Sequence, residues 1–77
     1  MKPLLTDLWP QFAEDTEFRS AFGGAVVDKV LADRNRRLIT VIYSAAAPAP
    51  RTACDRLALS LAPLFKGFSL RVRGLFP

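Results

Sequence analysis

The chain contains no histidine and a single cysteine among its 77 residues. Without histidine it lacks the usual general base near neutral pH and the commonest metal ligand. Its four serines consequently have no imidazole partner for nucleophilic catalysis. Cys54 alone can form neither an intrachain disulfide nor a zinc site. Glycine is scarce as well, with four residues at positions 23, 24, 67 and 74. These compose no G-x-x-x-x-G-K and no G-x-G-x-x-G, so no phosphate-cradling loop is expected. No apolar run approaches the ~20 residues that a bilayer-spanning helix requires. The opening Met1-Lys2-Pro3-Leu4-Leu5-Thr6-Asp7 has no long apolar stretch after its lysine. Neither a secretory signal nor export is therefore expected, and a cytoplasmic location is. Acidic residues are few and fall mostly in loops and short helices, where helix caps and solvated charges are the expected roles. Neither catalysis nor a cofactor, metal or small-molecule ligand is expected of this chain.

What is present is a folded domain. Hydrophobic residues make up 51% of the sequence, including six Phe, one Trp and one Tyr, too apolar a composition for a disordered tail. Residues 1–77 are expected to form one domain. The net charge of +4 hides a division. Residues 1–33 hold three cations (Lys2, Arg19, Lys29) against six carboxylates, whereas residues 34–77 hold eight cations against Asp55 alone. The C-terminal part is thus a candidate basic surface.

Along the chain, Leu5, Leu8, Trp9 and Phe12 share one helical face. Pro3 suits a first helical turn, and Pro10 breaks the stripe, so a short helix ending near Trp9 is predicted. Asp15 or Thr16 caps a second short helix, which carries Phe18 and Phe22 and stops at Gly23-Gly24. A β-hairpin follows, with strands at residues 26–32 and Leu38–Ser44. Its turn, residues 33–37, offers Asn35 as the residue for positive φ. Val26-Val27 and Val30-Leu31 load both faces, which points to a central or doubly covered strand in the hairpin. After an Ala/Pro connector at residues 45–50, the main helix begins at Arg51. Its apolar stripe is Cys54, Leu57, Ala58, Leu61 and Phe65, with core packing expected for Cys54. Thr52 and Asp55 resemble a capping box, and Pro63 should finish the helix. Gly67 turns the chain into a strand at residues 68–73, with Phe68, Leu70 and Val72 facing in. The expected fold is α+β: short N-terminal helices, β-hairpin, helix and strand, giving a three-stranded sheet covered by helices on one face.

This order is that of a truncated KH-like domain, but the KH backbone clamp, G-x-x-G, is missing. Cations able to meet phosphate or a partner are Arg34, Arg36 and Arg37 in the hairpin turn and Arg71 and Arg73 on the last strand. Turn arginines also serve simply to deter edge-to-edge pairing.

Three stretches carry a family resemblance: Leu5-Thr6-Asp7-Leu8-Trp9-Pro10, then Val26-Val27-Asp28-Lys29-Val30-Leu31 followed by Arg36-Arg37-Leu38-Ile39-Thr40-Val41, and last residues 61–65 with Phe68-Ser69-Leu70-Arg71-Val72. Together they resemble the extreme N-terminal domain of the PolC-type DNA polymerase III alpha subunit, across nearly the whole chain. The connector at residues 45–50 departs from that pattern. The resemblance implies the N-terminal fragment of a much longer DNA-directed DNA polymerase, whose polymerase and 3'-5' exonuclease activities lie downstream. It further implies a truncated KH-like module in DNA replication that attaches the enzyme to the clamp-loader tau subunit. Trp9 and Phe12 are the expected interface anchors, with arginines around them. The alternative is a KH-like nucleic-acid-binding domain whose contacts are weak and made to phosphate.

Overall fold

A computed structural model describes residues 2–76; Met1 and Pro77, the two ends named above, lie outside the described residues. The chain forms helix α1 (Leu5–Leu8), a 3-10 turn (Pro10–Phe12), helix α2 (Thr16–Phe22) and strands β1 (Val26–Asp33) and β2 (Leu38–Ser44). Helix α3 (Arg51–Leu61), a second 3-10 turn (Ala62–Leu64) and strand β3 (Ser69–Leu75) complete it. The sheet is mixed, in the order β1-β2-β3, with β1 antiparallel and β3 parallel to the central β2. The parallel pair is possible because α3 carries the chain back across the sheet. The architecture is the expected α+β arrangement. No described helix is long and apolar enough to cross a membrane.

Local chemistry explains most element boundaries. Trp9, held out of the helical region at φ −129° and ψ 81° before Pro10, ends α1. Asp15 caps α2, its carboxylate accepting from the N–H groups of Glu17 and Phe18 at 2.9 and 3.3 Å. Gly24, at φ 79°, then redirects the chain into β1. Pro63 converts the end of α3 into a 3-10 turn, since it cannot donate to the α-helical ladder.

Several expectations are corrected. Pro3 lies outside α1 and instead pairs with the sheet, its carbonyl accepting from Val27 at 2.8 Å. The Thr52–Asp55 box does not form: Pro50 occupies the N-cap, so Thr52 already lies within the first turn. In the hairpin turn Arg37, not Asn35, takes the left-handed conformation, at φ 52°. It is the last turn residue before β2, and its carbonyl there accepts from Ser69 at 2.8 Å. The last strand starts one residue later than expected and runs on through Gly74 to Leu75, because Gly74 pairs with Tyr43.

The confused face pattern of β1 has a specific cause. A bulge at Asp28 shifts the register between Val27 and Lys29. Val27 and Val30 thereby point to the helical side, whereas without the extra residue they would face opposite ways. Neither strand is covered twice. Val30 is 41% exposed because the distal half of the hairpin extends beyond the helices, and Leu31 is 49% exposed because it lies opposite Thr40 on the helix-free face.

The core lies between the helices and one sheet face. It comprises Leu5, Phe12, Phe18, Phe22, Val27, Ile39, Val41, Tyr43, Leu57 and Leu61 with small Ala25 and Ala53. Of the predicted α3 stripe, Leu57 and Leu61 are fully buried, while Cys54, Ala58 and Phe65 are half-buried and Ala53 takes a core position instead. Leu70 and Val72 face in as expected, and Phe68 packs on the core from just before β3. Aromatic rings run in line through the interior. Phe12 meets Phe18 at 4.6 Å, Phe18 meets Phe22 at 6.2 Å, Phe22 meets Tyr43 edge-on at 5.4 Å, and Tyr43 meets Phe76 at 6.0 Å. Burial pushes the Tyr43 phenol above its ordinary pKa. Its hydroxyl accepts from the Ala49 N–H at 3.3 Å, anchoring the connector.

Candidate functional site

The opposite face of the sheet carries no helix. Because side chains alternate along each strand, β2 buries Ile39, Val41 and Tyr43 and turns Leu38, Thr40, Ile42 and Ser44 outward. The register then sets their neighbours. Ile42 pairs with Lys29 on one side and Arg73 on the other, and Thr40 with Leu31 and Arg71. Ser44 lies beside Leu75. The outer face thus has apolar Leu31, Ile42 and Leu75 among Lys29, Arg71 and Arg73.

The turn arginines join this surface at one end. Since β3 is parallel to β2, its first residue lies beside Leu38, and the Ser69–Arg37 hydrogen bond ties the hairpin turn to the start of β3. Arg34, Arg36 and Arg37 and the nearby Lys66 therefore occupy one end of the sheet, leading onto Arg71 and Arg73. Asp33 is the carboxylate among them; it accepts from the Arg36 N–H at 3.1 Å and lies 3.9 Å from its guanidinium. Three other acids are engaged elsewhere. Glu17 hydrogen-bonds Arg56 and raises that guanidinium's pKa, while the Lys2 ammonium hydrogen-bonds Asp28 and lowers the carboxyl's. Asp15 and Glu17 thus meet Arg56 beside α2, and Asp28 meets Lys2 at the bulge, away from the basic end.

The five predicted contact arginines are accordingly brought to one continuous part of the surface. The predicted anchors are not. Phe12 is 3% exposed and belongs to the core: the break at Trp9-Pro10 swings the 3-10 turn so that its ring packs, tilted by 35°, against Phe18. It is unavailable to a partner. Trp9 is half-buried against the core on the helical side of the sheet. Lys29 escaped prediction, because only the Asp28 bulge puts it across Ile42 from Arg73. Lys66, beside the Gly67 turn, carried no sequence signal beyond its charge.

Set beside known proteins, the chain matches no family model, and no curated protein or solved structure is significantly similar to it.

Proposed function

We propose that this chain is a non-catalytic docking module that uses its open, cationic sheet to receive an acidic partner protein. The observation that supports it is the composition of that face, with apolar Leu31, Ile42 and Leu75 among Lys29, Arg71 and Arg73. Ile42 on the central strand lies between Lys29 and Arg73, so apolar groups and cations interleave across the face, and the charges steer a partner of opposite sign. With its resemblance to the PolC-type alpha subunit, the module would belong to a cytoplasmic bacterial replicase and the partner would be the clamp-loader tau subunit. Calorimetric titration with the tau C-terminal region tests this. Binding is expected, and Arg71→Glu with Arg73→Glu should weaken it at least ~tenfold, as reversal of interfacial charge does. A folded Trp9→Ala variant shows whether the helical side contributes. No heat of binding with the parent domain would remove tau attachment as its autonomous role.

A second reading is favoured by the basic end, where Arg34, Arg36, Arg37 and Lys66 face solvent beside Asp33 alone. It is weak binding to nucleic-acid phosphates. Such contacts release counterions, so about five of them should weaken binding to a single strand roughly a hundredfold between 50 and 200 mM salt, whatever the base sequence. Fluorescence anisotropy with oligothymidylate and a mixed-sequence strand at both salt concentrations measures this. Sequence-selective binding that survives the higher salt would contradict it.

A further inference from the structure

The free edge of β3 borders a groove that the sheet's own pairing leaves open. In a parallel pair, alternate residues bond to the neighbouring strand. The Ser69 N–H donates to Arg37 and the Leu75 carbonyl accepts from Ala45. Residues 69, 71, 73 and 75 therefore face β2, and the N–H and C=O groups of Leu70, Val72 and Gly74 point away from it. The strand ends the sheet, is seven residues long, and contains neither a proline nor a bulge. On the helical side of this edge lies a groove of about 590 Å³ between β3 and α3. Its apolar lining comes from Leu70, Val72, Cys54, Ala58 and Phe76. Cys54 and Ala58 are small, which keeps the helix wall back from the strand. Phe76 folds across Gly74 toward Tyr43 and forms one end.

We propose that this edge and groove take an extended acidic segment of a partner protein as a fourth strand. The proposal rests on the docking-module reading and names the segment's chemistry. Edge groups supply main-chain hydrogen bonds, and the groove receives alternate apolar side chains. Charge selects the occupant. Arg71 and Arg73 stand on the strand itself, Arg51 lines the groove, and the turn arginines and Lys66 stand at the strand's starting end, against Asp55 on the groove wall. A segment alternating apolar and acidic residues fits both faces at once: apolar side chains enter the groove while carboxylates meet Arg71 and Arg73 on the open side. The same two arginines, unpaired among the described residues, also keep β3 from pairing with another copy of itself.

The test uses the full chain and an acetylated, amidated heptapeptide, Asp-Val-Glu-Val-Asp-Val-Glu. Amide resonances and hydrogen exchange are followed by NMR, and affinity by fluorescence anisotropy. Saturable binding is expected, with the amides of Leu70, Val72 and Gly74 shifted and their exchange slowed at least ~tenfold, as new strand hydrogen bonds require. A Lys-Val peptide of the same length should not bind. Val72→Pro removes an edge donor without touching a bond to β2, and should lower affinity at least ~tenfold. Arg71→Glu with Arg73→Glu should do the same and covers the case in which the proline variant does not fold. Failure of the acidic peptide to bind at millimolar concentration overturns the proposal, as does binding that leaves the three edge amides unchanged. Displacement of the peptide by oligothymidylate that shifts those same amides would reassign the groove to nucleic acid. Tau binding that is unaffected by Val72→Pro would leave the docking module standing and remove the groove as its means. Peptide binding in the groove without any tau binding would leave the module and its groove standing and remove tau as the partner.

Discussion

Replacing Leu61 by alanine is expected to destabilise the domain by about 2–5 kcal/mol. Leu61 is fully buried, at the point where α3 covers the sheet and just before Pro63 turns the chain. Its removal leaves a cavity bounded by helix and strand, neither of which can close in without moving the other. A chain of this length is expected to have a total stability of roughly 4–12 kcal/mol, so the variant should be substantially unfolded on mild heating. Thermal melting followed by circular dichroism measures the shift. Leu59, 75% exposed on the same helix, is the control: Leu59→Ala should stay within about 0.5 kcal/mol of the parent. A Leu61→Ala protein melting with the parent would show that α3 is not packed on the sheet.

Phe22→Ala should be at least as damaging, at about 3–5 kcal/mol. The Phe22 ring is 1% exposed and links two aromatic neighbours, Phe18 along α2 and Tyr43 on β2. Its loss severs the line of rings between the N-terminal helices and the sheet. Each aromatic pair contributes about 0.5–1.5 kcal/mol beyond simple burial, so Phe22→Leu, which keeps most of the volume, should recover only part of the loss. Urea denaturation gives the energies, and the near-ultraviolet signal of Tyr43 reports the disturbed pairing. Phe76→Ala, at the exposed far end of the line, should be much milder. Equal losses for the two variants would contradict a central role for Phe22.

Where residues close in sequence settle an element, the sequence was readable. Pro10 held Trp9 out of the helix and ended α1; Asp15 capped α2 through its own neighbours; β2 took its predicted bounds; and Arg51, following Pro50, opened α3. Each outcome depends on steric or hydrogen-bonding rules acting within a few residues. Cap assignment failed at Thr52 because one residue of offset places a side chain inside the turn rather than before it. Asn35 is the better left-handed residue by intrinsic preference, yet Arg37 takes that conformation because the turn must meet β2 and Ser69 at that point.

For the candidate site, the sequence identified the charges but not their neighbourhood. Arg34, Arg36 and Arg37 were visibly a turn cluster, and Arg71 and Arg73 visibly one face of a strand. That these belong to a single surface follows from the parallel pairing of β2 with β3, between residues some thirty positions apart. Lys29 joins them through the one-residue bulge at Asp28, and Phe12 leaves the interface because the kink at Trp9-Pro10 turns it onto Phe18. By itself, then, the sequence determined the α+β class, the order of elements, the missing histidine chemistry and the sign of the basic half, all properties of composition and local periodicity. The tertiary structure alone decided which face stays open, which strand edge is free and which cations gather there. Strand register and helix crossover are set by burying the whole apolar face at once, a condition that no short stretch of this chain contains.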